Sequence, residues 1–302
     1  MLPPTITSAA ELEISSEDQR DIDAIIQLLD DESDVVQESI DLKLRDMGEV
    51  AIHYLAEKIE KSKETNRTLL EERVRDLRFF RIEKNMRDYC DEQSGDVNLE
   101  GSLLTLCRLP YPDIDEQQWH SYLDWLAEEF KSRLPLEQNP YDNICALSQF
   151  LSDEQGFYGN TQNYYDTDNS YLNKVLQYKR GIPVTLASVY LLVGRRLGWP
   201  LIGVGTPGHF LCKWHSTDHE VFFDPYHGGH VLTRQECVAL LGHMGSDRIT
   251  EYLQGVSDRE LLIRVVQNLL QIYKKRQEPE RMRQLRILLH VIESKPEDET
   301  EN

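Results

Sequence analysis

The chain has 302 residues, enough for two or three hydrophobic cores, and 40% of them are hydrophobic, which excludes general disorder. Its 33 basic and 53 acidic residues give a net charge of −20, so nucleic acid and anionic membranes are unfavourable partners. The five cysteines are scattered without a CxxC spacing, and the chain does not open on a basic segment followed by an apolar one. These features predict a cytoplasmic protein without disulfides.

Apolar residues at helical spacing characterise residues 17 to 60 and predict short amphipathic helices. The acidic run at 30 to 34 and Gly48 mark the turns between them, and a longer charged helix is expected from Leu69 to about Cys90. Part of this stretch resembles one HEAT-type repeat. We therefore interpret residues 1–95 as an N-terminal helical, HEAT-like segment.

The middle of the chain predicts an α+β domain over residues 96–245. Residues 100 to 151 have a wide apolar stripe typical of core helices, and 156 to 173 are rich in Gly, Asn and Tyr, which predicts a long ordered loop. A helix is expected after Gly181, with Pro183 in its first turn and Gly198 at its end. Three strands are expected at 201–205, 209–214 and 220–225.

The remaining residues, 246–302, predict a helical hairpin and an acidic tail. Ser257 and Glu260 have the spacing of a capping box ahead of the first helix, and Pro279 separates it from the second.

His209 and Asp224 are the residues most suited to chemistry. Neighbouring antiparallel strands can place the imidazole beside the carboxylate, which would fix the imidazole tautomer and stabilise its charged form. A nucleophile completing a triad would lie near the start of the preceding helix.

The residues from Gly156 to Gly229 resemble the SirB-type transglutaminase-like family. The resemblance implies a transglutaminase-like, papain-like core of helix and antiparallel sheet, followed by tetratricopeptide-like helices. Active relatives open the helix with Gly-x-Cys-x-x-x-Ala. Here the pattern aligns with Gly181 to Ala187, so that Pro183 stands where the catalytic cysteine is expected and His209 and Asp224 match the other two positions.

Other groups near this motif are candidates to replace the missing thiol. Thr185 and Ser188 carry hydroxyls further along the helix, and Cys212 is expected on the strand face opposite to His209. Five histidines between 209 and 230 offer ligand atoms, but their spacing fits no zinc motif, so neither a metal site nor another cofactor is predicted. Residues expected to shape the loop or line a cleft are Asn160, Tyr165, Asn169, Ser170, Gly181 and Gly208.

Three functional hypotheses follow. The preferred one is a non-catalytic or regulatory module that binds a protein or peptide in the pocket of His209 and Asp224, helped by its helical flanks. The second is an amide-directed hydrolase or acyltransferase that uses both residues with an unidentified nucleophile. The third is a scaffold, in which the two residues form a satisfied buried hydrogen bond.

Overall fold

A computed structural model describes residues 14–61, 64–90, 97–134, 139–242 and 246–294. The predictions for the first residues of the chain and for the acidic tail beyond Ser294 lie outside this range. No helix within it combines the length and apolar character needed to cross a bilayer.

The helices in chain order are α1 Ser16–Ile26, α2 Asp34–Met47, α3 Glu49–Lys61, α4 Glu64–Cys90, α5 Leu99–Cys107, α6 Glu116–Lys131, α7 Pro140–Ser148, α8 Leu172–Tyr178, α9 Pro183–Arg196, α10 Arg234–Leu241, α11 Ser246–Gln254, α12 Asp258–Arg276 and α13 Pro279–Glu293. The strands are β1 Tyr158–Gly159, β2 Arg180–Gly181, β3 Leu201–Thr206, β4 His209–His215, β5 Glu220–Asp224 and β6 His230–Leu232. A π-helical turn, Gln149–Glu154, continues α7, and short 3₁₀ turns occupy Thr167–Ser170 and Pro225–His227.

The described residues divide into two compact units, one of which comprises residues 14–61, 64–85 and 108–113. It contains α1, α2, α3 and most of α4, and Gly48, with φ +59°, separates α2 from α3 as the sequence predicts. Buried apolar side chains from all four helices form its core, among them Ile22, Leu44, Leu55 and Leu70. Its resemblance to a HEAT repeat stays a hypothesis.

Within the described range, the other unit contains residues 86–90, 97–107, 114–134, 139–242 and 246–294 and carries the sheet. Strands β3, β4, β5 and β6 form one antiparallel sheet in that order, and β1 pairs with β2 in parallel. Because side chains alternate across a strand, β4 places Leu211 among the side chains of α10 and α11 and Cys212 towards α9. The predicted α+β class, mainly helical with an antiparallel sheet, is confirmed.

Helix α9 begins where the sequence predicts. Pro183 occupies its first turn, where a missing N–H costs no hydrogen bond, and the mainly apolar residues from Pro183 to Gly194 are all buried. Gly198, with φ +72°, follows its last turn and lets the chain turn back into β3. The first turn of α9 therefore lies beside the end of the sheet.

Helix α12 packs against α13, α5 and α9, so the predicted helical hairpin lies on the same unit as the sheet. The capping box is confirmed: the Ser257 hydroxyl accepts the Glu260 N–H, and Glu260 accepts the Ser257 N–H. The division of the chain at residues 95 and 245 stays a prediction.

Ser257→Ala should lower the free energy of unfolding by about 1 kcal/mol, because it leaves an N–H of the first turn of α12 without its acceptor. Urea denaturation of the full chain measures this. Ser257→Thr keeps the hydroxyl and should cost only a few tenths of that amount. Equal losses in the two variants would contradict the role of the cap.

Several short elements were not predicted. The stretch 156–173, expected to be a loop throughout, contains β1, a 3₁₀ turn and the start of α8. Strands β2 and β6 and helices α10 and α11 were not predicted either. Strand β6 pairs with β5 and shows no clear pattern of its own in the sequence.

Candidate functional site

His209 and Asp224 are hydrogen-bonded, with 2.7 Å between His209 Nε2 and Asp224 Oδ2. His209 is the first residue of β4 and Asp224 the last of β5. The register pairs Cys212 with Phe223, so Asp224 lies across from Leu211 and His209 lies two residues further along the same face. The sheet alone therefore brings the two side chains together.

Asp224 is 5% exposed and also accepts three further hydrogen bonds. The backbone N–H groups of Tyr226 and His227 donate to Oδ1 over 3.0 and 3.4 Å, because the chain turns directly after Pro225. His227 Nδ1 lies 2.8 Å from Oδ2. Burial alone would raise the pKa of Asp224, but the hydrogen bonds with His209 and His227 outweigh it and lower the pKa.

A cavity of about 400 Å³ lies beside His209. It is bounded by the first turn of α9, the turn before β4, the loop before α8 and one face of α12. The residues lining it are Tyr164, Tyr165, Ile182, Pro183, Val184, Gly208, His209, Phe210, Arg264, Gln267, Asn268, Gln271 and Ile272. This volume is within the range typical of small-ligand or side-chain pockets.

Of the residues singled out from the sequence, Tyr165, Pro183, Gly208 and His209 line this cavity. Pro183 and His209 thus line the same cavity.

The hydroxyl and thiol groups weighed as substitutes are engaged elsewhere. Thr185 Oγ1 lies 2.6 Å from the carbonyl oxygen of Asn169, and Ser188 Oγ donates to the Val184 carbonyl oxygen over 2.9 Å. Cys212 lies on the opposite strand face, where burial raises the pKa of its thiol well above the usual value. None of the three lines the cavity.

The remaining loop residues hold the backbone in place. Asn160 donates to Asn169 Oδ1 over 3.0 Å, and Asn169 donates to the Asn163 carbonyl oxygen over 2.7 Å. Ser170 is buried, and Gly181 pairs with Gly159 between β1 and β2. These contacts place the loop that carries Tyr164 and Tyr165 against the cavity, although the four predicted residues do not line it themselves.

The face of α12 towards the cavity was missed by sequence reasoning. Arg264, Gln267, Asn268 and Gln271 are spaced three or four residues apart and so lie on one helical face. This polar row beside the apolar stripe of α12 is visible in the sequence, but its proximity to His209 depends on tertiary packing.

The cavity has a distinctive charge. Although the protein has a net charge of −20, no Asp or Glu occurs among the described residues that line it, whereas Arg264 and His209 do. Arg264 donates to the Thr206 carbonyl oxygen over 3.2 Å and has no carboxylate partner in the described part of the chain. An anionic group entering the cavity would therefore meet a guanidinium without displacing an existing ion pair.

A sequence model of the transglutaminase-like superfamily matches residues 117–267, which include α9, the whole sheet and the cavity-lining part of α12 up to Gln267. The chain belongs to the transglutaminase-like superfamily. No solved structure matches the chain.

Individual relatives agree with this family. A UPF0162 protein of Xylella fastidiosa strain 9a5c is 34% identical over 58% of this chain and 64% of its own length. A UPF0162 protein of Vibrio cholerae is 29% identical over 59% of this chain and 67% of its own. Human F-box only protein 21 is 33% identical over 44% of this chain and 22% of its own. This chain thus spans just under two thirds of the Xylella relative.

Proposed function

We propose that this transglutaminase-like chain is a non-catalytic, regulatory module that binds a protein or peptide segment in the cavity beside His209. The observation that carries the proposal is that Pro183 lines the same cavity as His209. A proline side chain supplies no attacking atom, so a thiol mechanism is not available there. The cavity itself is retained, with a volume suited to one or two side chains of a partner.

The chemistry of the lining supports a partner segment that carries a carboxylate. Arg264 presents a forked donor that pairs well with a carboxylate, and the amides of Gln267, Asn268 and Gln271 match the donors and acceptors of peptide groups. Tyr164 and Phe210 add apolar surface. Because the protein is strongly acidic elsewhere, electrostatics favours binding of such a segment at this cavity over other surfaces.

A cytoplasmic location belongs to the same proposal. None of the five cysteines forms a disulfide in the structure, and Cys145 is exposed, as is common for proteins of a reducing compartment.

The alternative is an amide-directed hydrolase or acyltransferase, favoured by the 2.7 Å hydrogen bond that orients His209. Under this alternative His209 is the base, Asp224 orients it, and the attacking group comes from outside the residues discussed above. Turnover of a peptide that disappears in His209→Ala would establish the enzyme and overturn the non-catalytic proposal.

Arg264→Gln should weaken binding of carboxylate-bearing peptides by about 10- to 100-fold, as expected for losing a charge-assisted hydrogen bond. Peptides are first selected from a displayed random library with the full chain, then synthesised and measured by fluorescence anisotropy. Selected sequences should carry Asp, Glu or a free carboxyl terminus near their anchoring residue.

Lys274→Gln is the matched control. It removes the same charge from α12 at an exposed residue that does not line the cavity. It should leave peptide affinity unchanged. Failure to enrich any peptide, or equal affinities in Arg264→Gln and the wild-type protein, would overturn the proposed partner chemistry.

A further inference from the structure

We infer that His209, Asp224 and His227 form a binding site for a divalent transition-metal ion of the zinc class. The ligand atoms of these three side chains all lie within 4.8 Å of one another. Among the described residues, no other group of three or more His, Cys, Asp and Glu side chains is as closely spaced. The site shares His209 with the peptide cavity, but Asp224 and His227 do not line that cavity. The inference therefore goes beyond peptide binding and does not rest on it.

The donor set selects the kind of ion. Two imidazole nitrogens and one carboxylate oxygen match zinc and related transition metals, which commonly take three protein ligands and leave further positions for water. Magnesium and calcium prefer sites made only of oxygen, so they fit these residues poorly.

The two imidazole rings already lie close to the spacing of a zinc site. The ring centroids of His209 and His227 lie 5.6 Å apart with their planes tilted by 41°. Two imidazoles on one tetrahedral zinc ion have centroids roughly 5 Å apart, and their ligand atoms lie about 3.3 Å from each neighbouring ligand atom. The nitrogen-to-oxygen distances of 2.7 and 2.8 Å would therefore open slightly when the ion enters. His227 can supply this movement because its side chain is 64% exposed.

The Asp224 carboxylate is oriented by backbone hydrogen bonds, as ligating carboxylates commonly are. The backbone N–H groups of Tyr226 and His227 bind Oδ1, which leaves Oδ2 directed at both imidazoles. Outer hydrogen bonds of this kind orient ligating carboxylates and strengthen metal sites. The same contacts without a metal would make Asp224 only a hydrogen-bond acceptor, and metal titration separates the two arrangements.

The test is zinc binding by isothermal titration calorimetry to the full chain carrying Cys145→Ser, which removes the exposed thiol as a competing ligand. One zinc ion should bind per chain, and His227→Ala should weaken binding by about 100-fold or more, since even loss of an outer contact costs 10- to 100-fold. His227 is exposed, so this variant should still fold. Excess magnesium should not compete.

His219→Ala is the matched control, since it removes an exposed histidine at the other end of the β4–β5 hairpin that is not part of the group. It should bind zinc like its parent. Cobalt in place of zinc should give ligand-field bands that are lost in His227→Ala but kept in His219→Ala. Absence of stoichiometric binding, equal affinity in His227→Ala and its parent, or equal weakening in both variants would overturn the site.

Discussion

Gly229→Ala should lower the free energy of unfolding by about 3 kcal/mol, because it combines backbone strain with a steric clash. Gly229 has φ +73°, a conformation that costs an L-residue about 1 kcal/mol or more. A Cβ atom added there would lie 2.5 Å from Ser148 Cβ and 2.9 Å from the Tyr190 hydroxyl oxygen. Both neighbours are buried, so they can give way only by disturbing the packing beneath the turn that carries Asp224.

Gly198→Ala separates the two contributions. Gly198 has nearly the same backbone angle, φ +72°, but an added Cβ would meet nothing within 4 Å. Its substitution should therefore cost about 1 kcal/mol, from backbone strain alone. Urea denaturation of both variants measures the difference. If the two losses are equal, the contact of Gly229 with Ser148 and Tyr190 has no energetic importance.

The sequence predicted the elements whose signals are local. Gly48 and the acidic run at 30–34 separate α1, α2 and α3, and Pro183 and Gly198 bound α9, because these residues restrict or free the backbone wherever they occur. Strands β3, β4 and β5 were predicted at 201–205, 209–214 and 220–225 from short apolar runs between turn residues, within one residue of their observed ends. Helix α8 was missed because seven residues are too few to show a helical period.

The candidate site was predictable only where it depends on neighbours in the sheet. His209 and Asp224 belong to consecutive strands, so the order of the elements was enough to expect them together. Arg264 of α12 is some forty residues beyond Asp224 in the sequence. Its approach to the cavity depends on how α12 packs on α5 and α9, and no local pattern encodes this.

The contact of His227 with Asp224 could not be predicted from the sequence either, although the two residues are only three positions apart. The sequence showed several histidines in this region without indicating which of them turn towards the carboxylate. The 3₁₀ turn after Asp224 selects His227, because it directs Nδ1 of this residue to Oδ2 of Asp224. His215 and His219 lie at the other end of the β4–β5 hairpin.

Glu100→Gln should lower the free energy of unfolding by about 3 kcal/mol near pH 6, because it breaks a largely buried ion pair. The Glu100 carboxylate of α5 accepts two hydrogen bonds, of 2.7 and 2.8 Å, from the Arg196 guanidinium of α9. It also contacts the His120 ring of α6. Its side chain is only 14% exposed. The carboxylate therefore joins three helices around the core, and its amide replacement leaves Arg196 without this charge partner.

The stability lost in Glu100→Gln should depend on pH. Burial alone would raise the pKa of Glu100, but His120 and Arg196 lower it from 4.5 to about 2. A lowered carboxyl pKa stabilises the fold fully above pH 4.5, and the contribution is lost as the pH falls towards 2. The pKa of His120 is raised above 6.5 by Glu100, so its contribution is full below pH 6.5 and is lost as the pH rises through that higher value.

The stability difference between the wild-type protein and Glu100→Gln should therefore be largest between about pH 4.5 and 6.5 and shrink on both sides. Urea denaturation over a series of pH values measures it, and taking the difference cancels acid effects from other carboxylates. Glu128→Gln is the control, since Glu128 is 74% exposed and pairs with Lys131 at 3.8 Å on the surface, so its loss should cost less than about 1 kcal/mol. A difference independent of pH would show that Glu100 acts through packing rather than charge.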